Sequence, residues 1–195
     1  MYQKGNKELK VLMLYRGGYY KQFYLREISK LAKIPVKTTQ GALATLEKKC
    51  VLKSSLRGKN KYFRLNIGNI QTKLYLMQVE VFKAVLFIDK YPLFKMFLKE
   101  VKTRSAIVVF GSFAKFAADK ESDLDLLIVL KEGEEQRPLP FHLLPYKVHE
   151  ISLAEPSFMK SLEKQETLIK EIEENHVVLN GHSFYVDAMW DYYGK

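Results

Sequence analysis

Three features are scarce in this sequence of 195 residues: cysteine, long apolar runs, and acidic side chains in its first third. The single cysteine, Cys50, excludes an internal disulfide and is typical of a reducing compartment. The most apolar helical stretch, residues 74–88, is too short to span a bilayer and is interrupted by Glu80 and Lys83. Because no signal peptide opens the chain, we expect a cytoplasmic protein without a membrane partner.

The charged residues are distributed unevenly along the chain. Residues 1–66 hold 16 Lys and Arg against 3 Asp and Glu, a net charge of +13, whereas residues 67–195 hold 16 against 19, a net charge of −3. This asymmetry indicates a basic module that binds nucleic acid, next to a module with a different task. We therefore predict two domains, since the length gives each enough residues to bury a core.

The apolar spacing in the basic module predicts three helices. The first ends at a glycine pair, the second covers residues 25–32, and the third runs from about Pro35 to about Lys49. The second and third helices, joined by a short break, form a helix-turn-helix pattern. The exposed start of the third helix is the part that would reach base edges and phosphates in a DNA major groove. The residues at this start are Lys37, Thr38, Thr39 and Gln40.

Two short strands, residues 51–55 and 62–65, are predicted after the third helix, with a loop at residues 56–61 between them. A glycine-containing, positively charged loop can lie along DNA phosphates. The residues predicted to contact DNA there are Arg57, Lys59, Asn60 and Lys61. The segment 46–66 resembles the recognition-helix end and the wing of winged helix-turn-helix regulators, which implies double-stranded DNA as a partner. The alternative is a protein-interaction module whose lysines form a solvated face.

Residues 67–104 are predicted to form connecting helices without catalytic residues. Apolar residues recur at helical spacing over residues 74–88, a Tyr91-Pro92 pair interrupts the pattern, and residues 93–101 supply another helix. Their apolar surface exceeds what packing on one small domain needs. Two interpretations remain open: the helices form a homodimer interface, which suits a two-fold symmetric DNA site, or they only bridge the domains.

The candidate chemistry lies between Gly111 and Leu130. An apolar run precedes the Gly111-Ser112 pair and another follows Asp123 and Asp125, which predicts strand, turn, short helix and strand. Because strand side chains alternate between faces, the two aspartates would share one side, where their like charges favour a cation between them. The pattern predicts a divalent-metal site next to a bound phosphate.

This pattern resembles the signature of the nucleotidyltransferase superfamily related to DNA polymerase beta, in its small prokaryotic or archaeal form. The matching residues are Gly111, Ser112, Ala114, Lys115, Ser122, Asp123 and Asp125. The resemblance implies a mixed β-sheet, an NTP substrate that we expect to be ATP, and Mg²⁺ in a two-ion site. One residue departs from the pattern: Phe116 stands where the family usually carries glycine, at the edge of the expected nucleotide pocket.

The resemblance also assigns roles to these residues. Asp123 and Asp125 would be the metal ligands and catalytic residues. The nucleotide-binding residues would be Gly111, Ser112, Lys115 and Ser122. The glycine allows a close approach of the backbone to phosphate, and the serine amide and hydroxyl are phosphate donors.

The family uses a third carboxylate on a neighbouring strand. Residues 147–153 predict such a strand, and alternation places Glu150 on its open side, opposite to His149. We therefore predict Glu150 as the third metal ligand and the catalytic base. An ordinary surface glutamate is one alternative interpretation, and His149 as base or ligand is another.

The predicted fold class is α/β (α+β), with three segments. These are a winged helix-turn-helix domain at residues 1–66, connecting helices at 67–104, and a minimal nucleotidyltransferase domain with a mixed sheet at 105–195. The predicted function is Mg²⁺-dependent transfer of NMP from an NTP to a hydroxyl by a DNA-binding protein. The resemblance implies that the acceptor can be a partner protein, as in toxin and antitoxin pairs.

Two alternatives to this function stay open. The first is a transcriptional regulator whose nucleotidyltransferase domain binds nucleotide or dimerises without turnover. The second is nucleotide addition to RNA ends, which predicts that the basic module binds RNA.

Overall fold

The computed structural model describes residues 7–133 and 138–195. The chain divides into two compact units: the first unit is Met1–Val79 with Met189–Lys195, and the second unit is Glu80–Ala188. The first six residues of the predicted N-terminal domain lie outside the described residues. Each helix within the described ranges is too short or too polar to cross a membrane.

The helices and strands follow one another closely along the chain. The α-helices are α1 (Lys7–Leu12), α2 (Leu25–Leu31), α3 (Val36–Lys48), α4 (Ile70–Lys90), α5 (Phe94–Glu100), α6 (Gly111–Ala114), α7 (Glu155–Glu163), α8 (Thr167–Glu174) and α9 (His182–Gly194). The strands are β1 (Phe23–Tyr24), β2 (Leu52–Arg57), β3 (Asn60–Leu65), β4 (Ala106–Phe110), β5 (Leu124–Leu130), β6 (Val148–Ala154) and β7 (Val177–Asn180).

In the first unit, α1 and α2 both pack on α3, and the strands form an antiparallel sheet in the order β1-β3-β2. The buried hydroxyl of Tyr15 donates a hydrogen bond to the Phe63 carbonyl oxygen at 3.0 Å and so joins the helical part to the sheet. The turn between α2 and α3 is tight because Lys33 adopts a φ of 53° and the Ile34 N–H donates to the Ser29 carbonyl oxygen at 3.1 Å. The predicted helices are present at residues 25–31 and 36–48.

The β2-β3 hairpin is longer than the sequence predicted. Arg57 pairs with Asn60 in the ladder, which leaves only Gly58 and Lys59 as the turn. Gly58 has a φ of 59°, as the first central residue of a type II′ turn requires. The predicted loop over residues 56–61 is therefore wrong, because the polar side chains of these strand ends carry no apolar alternation to mark them.

In the second unit, the strands form a mixed sheet in the order β6-β5-β4-β7. Strand β4 is antiparallel to β5 and β7, whereas β5 is parallel to β6. Strands β4 and β5 lie inside the sheet and are almost entirely buried, which explains their continuous apolar sequences. The predicted mixed sheet is confirmed.

Aromatic side chains complete the core of the second unit. Phe87 at the end of α4, Phe94 and Phe97 of α5, and Phe113 of α6 form one buried cluster with β4 and β5. Helix α4 ends immediately before the Tyr91-Pro92 pair, as the sequence predicted. The segment predicted to connect two domains therefore also supplies core residues to the unit that carries the aspartates.

Candidate active site and nucleic-acid interface

Two aspartates meet at the start of β5. Asp123 precedes the strand, Asp125 lies within it, and both carboxylates approach His149 of the neighbouring β6. His149 Nε2 lies 3.6 Å from Asp123 Oδ2, and its Nδ1 lies 3.5 Å from Asp125 Oδ1. Since one imidazole contacts both carboxylates, the two acids point to the same side of the sheet.

Gly111 gives Asp125 the space to lie where it does. Its neighbour Phe110 pairs with Asp125 in the β4-β5 ladder, so the chain turns from β4 into α6 directly beside this carboxylate. The φ of Gly111 is 66°, and a Cβ built on it would overlap the Asp125 Oδ2. Glycine is therefore required here both for its backbone conformation and for the close approach of the carboxylate.

The charges around the aspartates partly compensate one another. Burial raises the pKa of Asp125, and the charges of Glu171 and Asp123 add to this rise, whereas the charge of His149 and its hydrogen bond oppose it. Lys147 Nζ lies 3.6 Å from Asp123 Oδ2. The pair of acids is thus bordered by two basic side chains of the β6 segment.

Glu150 does not join the aspartates. In the β5-β6 ladder Asp125 pairs with His149 and Leu126 pairs with Glu150, so alternation places Glu150 on the opposite face. Its Oε1 accepts a hydrogen bond from Ser152 Oγ at 2.8 Å. The prediction that Glu150 faces the aspartates as the third metal ligand and base is wrong. Strand β6 lies at the sheet edge and is incompletely buried along its length. Its sequence therefore does not determine which of its residues share the face of the aspartates.

Glu171 of α8 is an acidic neighbour that the sequence analysis missed. Its Oε1 lies 3.8 Å from Lys115 Nζ, and both side chains are about half exposed. Its negative charge contributes to the raised pKa of Asp125. No sequence signal distinguishes Glu171, because it is one of several acids on an amphipathic helix.

The two serines of the predicted nucleotide site differ in their surroundings. Ser122 donates its hydroxyl hydrogen to Asp119 Oδ1 at 2.9 Å and accepts from the Asp119 N–H at 3.0 Å. These bonds hold the turn before β5, and the first of them lowers the pKa of Asp119. Ser112 lies half-buried in the short helix α6, one residue after Gly111.

Phe116 is turned toward the aromatic core. Its φ of 58° is the left-handed conformation that glycine adopts most easily. Its ring stacks with Tyr91 at a centroid distance of 6.4 Å and meets Phe87 edge-on at 6.3 Å. Lys83 Nζ lies 4.0 Å from the ring centroid, and the Lys90 ammonium donates a hydrogen bond to the Phe116 carbonyl oxygen. These contacts direct the ring toward the C-terminal half of α4.

The aspartates fit one kind of metal site and exclude another. Among residues 7–133 and 138–195, no group of three or more His, Cys, Asp and Glu side chains is arranged to hold a metal ion. Mg²⁺ is commonly bound by one or two carboxylates together with substrate phosphates and water. Asp123 and Asp125 therefore fit Mg²⁺ that arrives with a nucleotide, and do not fit a metal cage made by protein side chains alone.

The predicted DNA-contacting residues of α3 are not all on its surface. Lys37, Thr38 and Gln40 are exposed, whereas Thr39 is fully buried. The Thr39 hydroxyl donates to the Pro35 carbonyl oxygen at 3.1 Å and to the Ile34 carbonyl oxygen at 3.3 Å. The prediction that Thr39 reads DNA is therefore wrong: this side chain stabilises the first turn of the helix.

The cationic side chains of the hairpin differ in their contacts with neighbouring side chains. Lys61 Nζ lies 2.9 Å from Glu47 Oε2, so its charge is largely compensated. Arg57 lies over the Tyr62 ring, 5.7 Å from its centroid. A groove of about 830 Å³ separates the helices from the hairpin, and Gln40 and Lys59 are among its lining residues. Exposed Asn60 lies beside them at the start of β3.

One comparison with known proteins gives a match, and it covers part of the chain. No curated protein and no solved structure matches it. Residues 94–187 match the model of a family described as nucleotidyltransferase domain. The matched segment contains Gly111, Asp123, Asp125 and His149 and excludes the basic N-terminal elements. The family match therefore supports a nucleotidyltransferase domain in the segment that forms the aspartate site.

Proposed function

We propose that the second unit transfers a nucleoside monophosphate from an NTP, with ATP as the expected donor, to a hydroxyl group and releases pyrophosphate. We also propose that the reaction depends on Mg²⁺ and that the first unit binds double-stranded DNA. The observation that supports this most strongly is the convergence of Asp123 and Asp125 beside Gly111, within the segment that matches the nucleotidyltransferase family.

Asp123 and Asp125 would hold the metal ion together with the phosphates. When bound, Mg²⁺ neutralises the charge that develops on the phosphates and activates the attacking hydroxyl. Gly111 lets the Asp125 carboxylate lie against the backbone corner, and a triphosphate held beside that carboxylate would lie near the Ser112 amide and hydroxyl. Lys115, with about half of its side chain exposed, would contact a phosphate oxygen as a point charge.

His149 takes the place in this proposal that Glu150 held in the sequence analysis. A neutral imidazole nitrogen can act as a general base, and both ring nitrogens of His149 lie within 3.6 Å of an aspartate oxygen. In this arrangement one nitrogen donates to a carboxylate and fixes the ring. The other nitrogen faces the second carboxylate, and it would receive the proton of an acceptor hydroxyl that lies between them.

The exposed residues of α3 and the hairpin would bind duplex DNA as a winged helix does. Gln40 would meet base edges, and Lys37, Arg57 and Lys59 would meet phosphates. The order helix, strand, helix, helix and hairpin supports this, as does the net charge of +13 over residues 1–66.

A homodimer through α4 and a partner protein as acceptor complete the proposal. The exposed apolar side chains Ile70, Leu74, Val81 and Val85 recur at helical spacing along α4 and support a dimer. The acceptor rests on the resemblance alone, which makes a hydroxyl of a partner protein the first candidate.

One observation favours a second candidate function, a regulator that binds nucleotide without turnover. The described residues include no group of three or more His, Cys, Asp and Glu side chains that could hold a metal ion, and so no third acid beside Asp123 and Asp125 at metal-ligand distance. Such a protein would bind ATP and DNA and would transfer nothing.

Incubation with ATP labelled at the α-phosphate, Mg²⁺ and candidate acceptors separates the two functions. We expect label on a protein or nucleic-acid acceptor, and we expect this label to disappear with Asp123→Asn. Saturable ATP binding without label on any acceptor, including a lysate of the source cell, would contradict the transfer reaction and favour the regulator.

A further inference from the structure

The first unit holds a second recess, separate from the groove beside α3. Its volume is about 560 Å³, and all of its lining residues belong to the first unit. It lies where the C-terminal turns of α9 meet the segment before β1 and the open end of the β2-β3 hairpin. The side chains that matter here are Tyr19, Tyr20, Trp190, Tyr193, Lys53 and Arg64. Four aromatic rings and three cationic residues, Lys195 being the third, thus line one recess.

The aromatic side of this recess is held in place by its own contacts. Tyr193 stacks on Tyr19 with ring centroids 4.9 Å apart and planes 24° apart. The Tyr20 ring meets Tyr193 edge-on at 4.9 Å, and the Tyr20 hydroxyl donates to the Tyr193 carbonyl oxygen at 2.6 Å. Tyr20 nevertheless remains 62% exposed, whereas Tyr19 is buried. A fixed but exposed ring is a surface on which another planar ring can stack.

The cationic side carries an unfavourable pair of like charges. Lys53 on β2 and Arg64 on β3 are direct partners in the antiparallel ladder, and both are exposed. Like charges that face each other across a ladder destabilise a sheet. Neither side chain has an ion pair with any described residue. An anion between Lys53 and Arg64 would replace this repulsion by two attractions, and a phosphate oxygen suits both donors.

The same sheet face continues away from the recess with similar residues. Alternation places Tyr62 on the face of Arg64, and Arg57 on the face of Lys53. Arg57 lies 5.7 Å from the centroid of the Tyr62 ring, and Tyr24 meets that ring at 5.8 Å. Cations and aromatic rings therefore alternate along this face from the recess toward the hairpin turn, as on surfaces that bind single strands.

We propose that this recess binds a nucleoside phosphate, with the base stacked on the exposed aromatic side and the phosphate between Lys53 and Arg64. The continuing sheet face indicates that the nucleoside phosphate is one unit of a single-stranded nucleic acid. A free mononucleotide offers the same chemistry in the recess but leaves the rest of the face unused. The site is separate from the aspartates of the second unit and does not rest on their activity.

Trp190 provides a direct measurement because it is the only tryptophan of the chain and lines the recess. The full-length protein is titrated, in EDTA and at fixed salt, with AMP, with an oligoadenylate of about ten nucleotides, a length that covers one binding surface, and with inorganic phosphate. We expect saturable quenching by AMP and by the oligoadenylate, tighter for the oligoadenylate, and no quenching by phosphate alone. Equal affinity for AMP and the oligoadenylate would overturn the single-strand assignment. Absence of quenching by both would overturn the site.

Variants of the recess show whether binding depends on its own residues, on the net charge of the protein or on correct folding. Lys53→Ala combined with Arg64→Ala, and separately Tyr20→Ala, should each weaken oligoadenylate binding by about tenfold or more. Tyr20→Phe keeps the ring and its edge-on contact with Tyr193 but loses the hydroxyl hydrogen bond, so it should bind more tightly than Tyr20→Ala. The control, Lys30→Ala with Lys48→Ala, removes the same charge from exposed helix positions outside the recess. An equal loss in this control would overturn the proposal, because it would show that net charge alone drives binding.

Two further variants, Asp123→Asn and Gln40→Ala, show whether the recess works independently of the transfer reaction and of duplex binding. The first removes the proposed transfer reaction and the second alters the proposed duplex contact. Both should leave the quenching of Trp190 by oligoadenylate unchanged. Loss of quenching in either variant would contradict a separate site in the recess.

Discussion

The two units carry opposite charges where each is proposed to meet phosphate. The first unit presents cations such as Lys59, Lys53 and Arg64 on exposed strands and turns. The second unit presents two carboxylates, Asp123 and Asp125, which in the proposed reaction would meet the phosphate through a metal ion. The carboxylates are fixed by Gly111 and His149, whereas exposed lysines need little backbone support. Substitutions in the second unit should therefore have large, all-or-none effects, and those in the first unit should have small, graded ones.

The largest expected effect is at the aspartates. Asp123→Asn removes one negative charge from the proposed metal site and should lower the rate of nucleotidyl transfer by about 10³-fold, since metal stabilisation of the transition state would amount to several kcal/mol. Transfer of label from ATP measures this effect. Glu150→Gln is the matched control, because Glu150 lies on the opposite face of the same sheet and should leave the rate unchanged. A rate loss in the Glu150 variant equal to that of Asp123→Asn would contradict the site geometry.

The next prediction distinguishes two consequences of replacing a glycine by alanine: strain in the backbone and displacement of the Asp125 carboxylate. Gly111 and Gly133 both have positive φ, of 66° and 72°, but only at Gly111 would a Cβ meet another side chain. Each change to alanine should reduce the free energy of unfolding by about 1–2 kcal/mol through the left-handed backbone. Only Gly111→Ala should also lower the transfer rate, by about 100-fold, or about 2.7 kcal/mol, because Asp125 must move. Urea unfolding and the transfer assay measure the two effects. Equal rates in the two variants would show that this carboxylate position is unimportant.

Phe116→Gly tests whether the departure from the family pattern blocks the site. Because the ring packs on Tyr91 and Phe87, its removal should change the transfer rate by less than about threefold. The free energy of unfolding should also change little: about 1–2 kcal/mol of left-handed strain is relieved, while ring contacts and a cation-π contact with Lys83 are lost. A large gain in rate in Phe116→Gly would instead mean that the ring reaches the nucleotide.

In the first unit we expect a smaller and graded response. Lys59→Ala should lower the slope of log affinity for duplex DNA against log salt by about one, which corresponds to one phosphate contact. Lys61→Ala should lower it less, because Glu47 already compensates the Lys61 charge. The two slopes are measured by fluorescence anisotropy on the same duplex. A larger change in the Lys61 variant would contradict the assignment of hairpin contacts.

The smallest expected effect is on the pH dependence of the free energy of unfolding, through a histidine of the second unit. Burial lowers the pKa of His182, and the charge of Glu80 opposes this only in part. The folded state therefore disfavours the charged imidazole, so this contribution to stability is present above the unfolded pKa of about 6.5 and is lost as the pH falls below it. We expect the free energy of unfolding to decrease less between pH 7.5 and pH 5.5 in His182→Gln than in the parent. The same decrease in both proteins would exclude His182 as the titrating group.

Much of the fold could be predicted because its elements have strong periodic patterns. The apolar runs of β4 and β5 and the helical spacing of α4 each dictate one structure. The bounds of the β2-β3 hairpin could not be predicted, because its polar ends lack alternation. The burial of Thr39 could not be predicted for a related reason. Its hydroxyl donates hydrogen bonds to backbone oxygens, and a hydropathy pattern gives no information about such bonds.

The candidate site was predictable only where local spacing determines it. Gly111 and the two aspartates lie on adjacent elements of one strand-helix-strand segment, so their spacing carries the information. His149 and Glu171 come from β6 and α8, more than twenty residues away along the chain. Their positions depend on strand register and helix packing. An edge strand such as β6, with side chains partly exposed on both faces, leaves the choice between His149 and Glu150 open in sequence.

A crystal structure with Mn²⁺ and a non-hydrolysable ATP analogue tests the central claim most directly, because anomalous scattering locates the metal. We expect the metal peak within ligand distance of Asp123 and Asp125, with the analogue's phosphates against the Gly111 corner and Glu150 remote from the metal. A metal peak at another place, or an analogue bound without metal away from the aspartates, would contradict the proposed site.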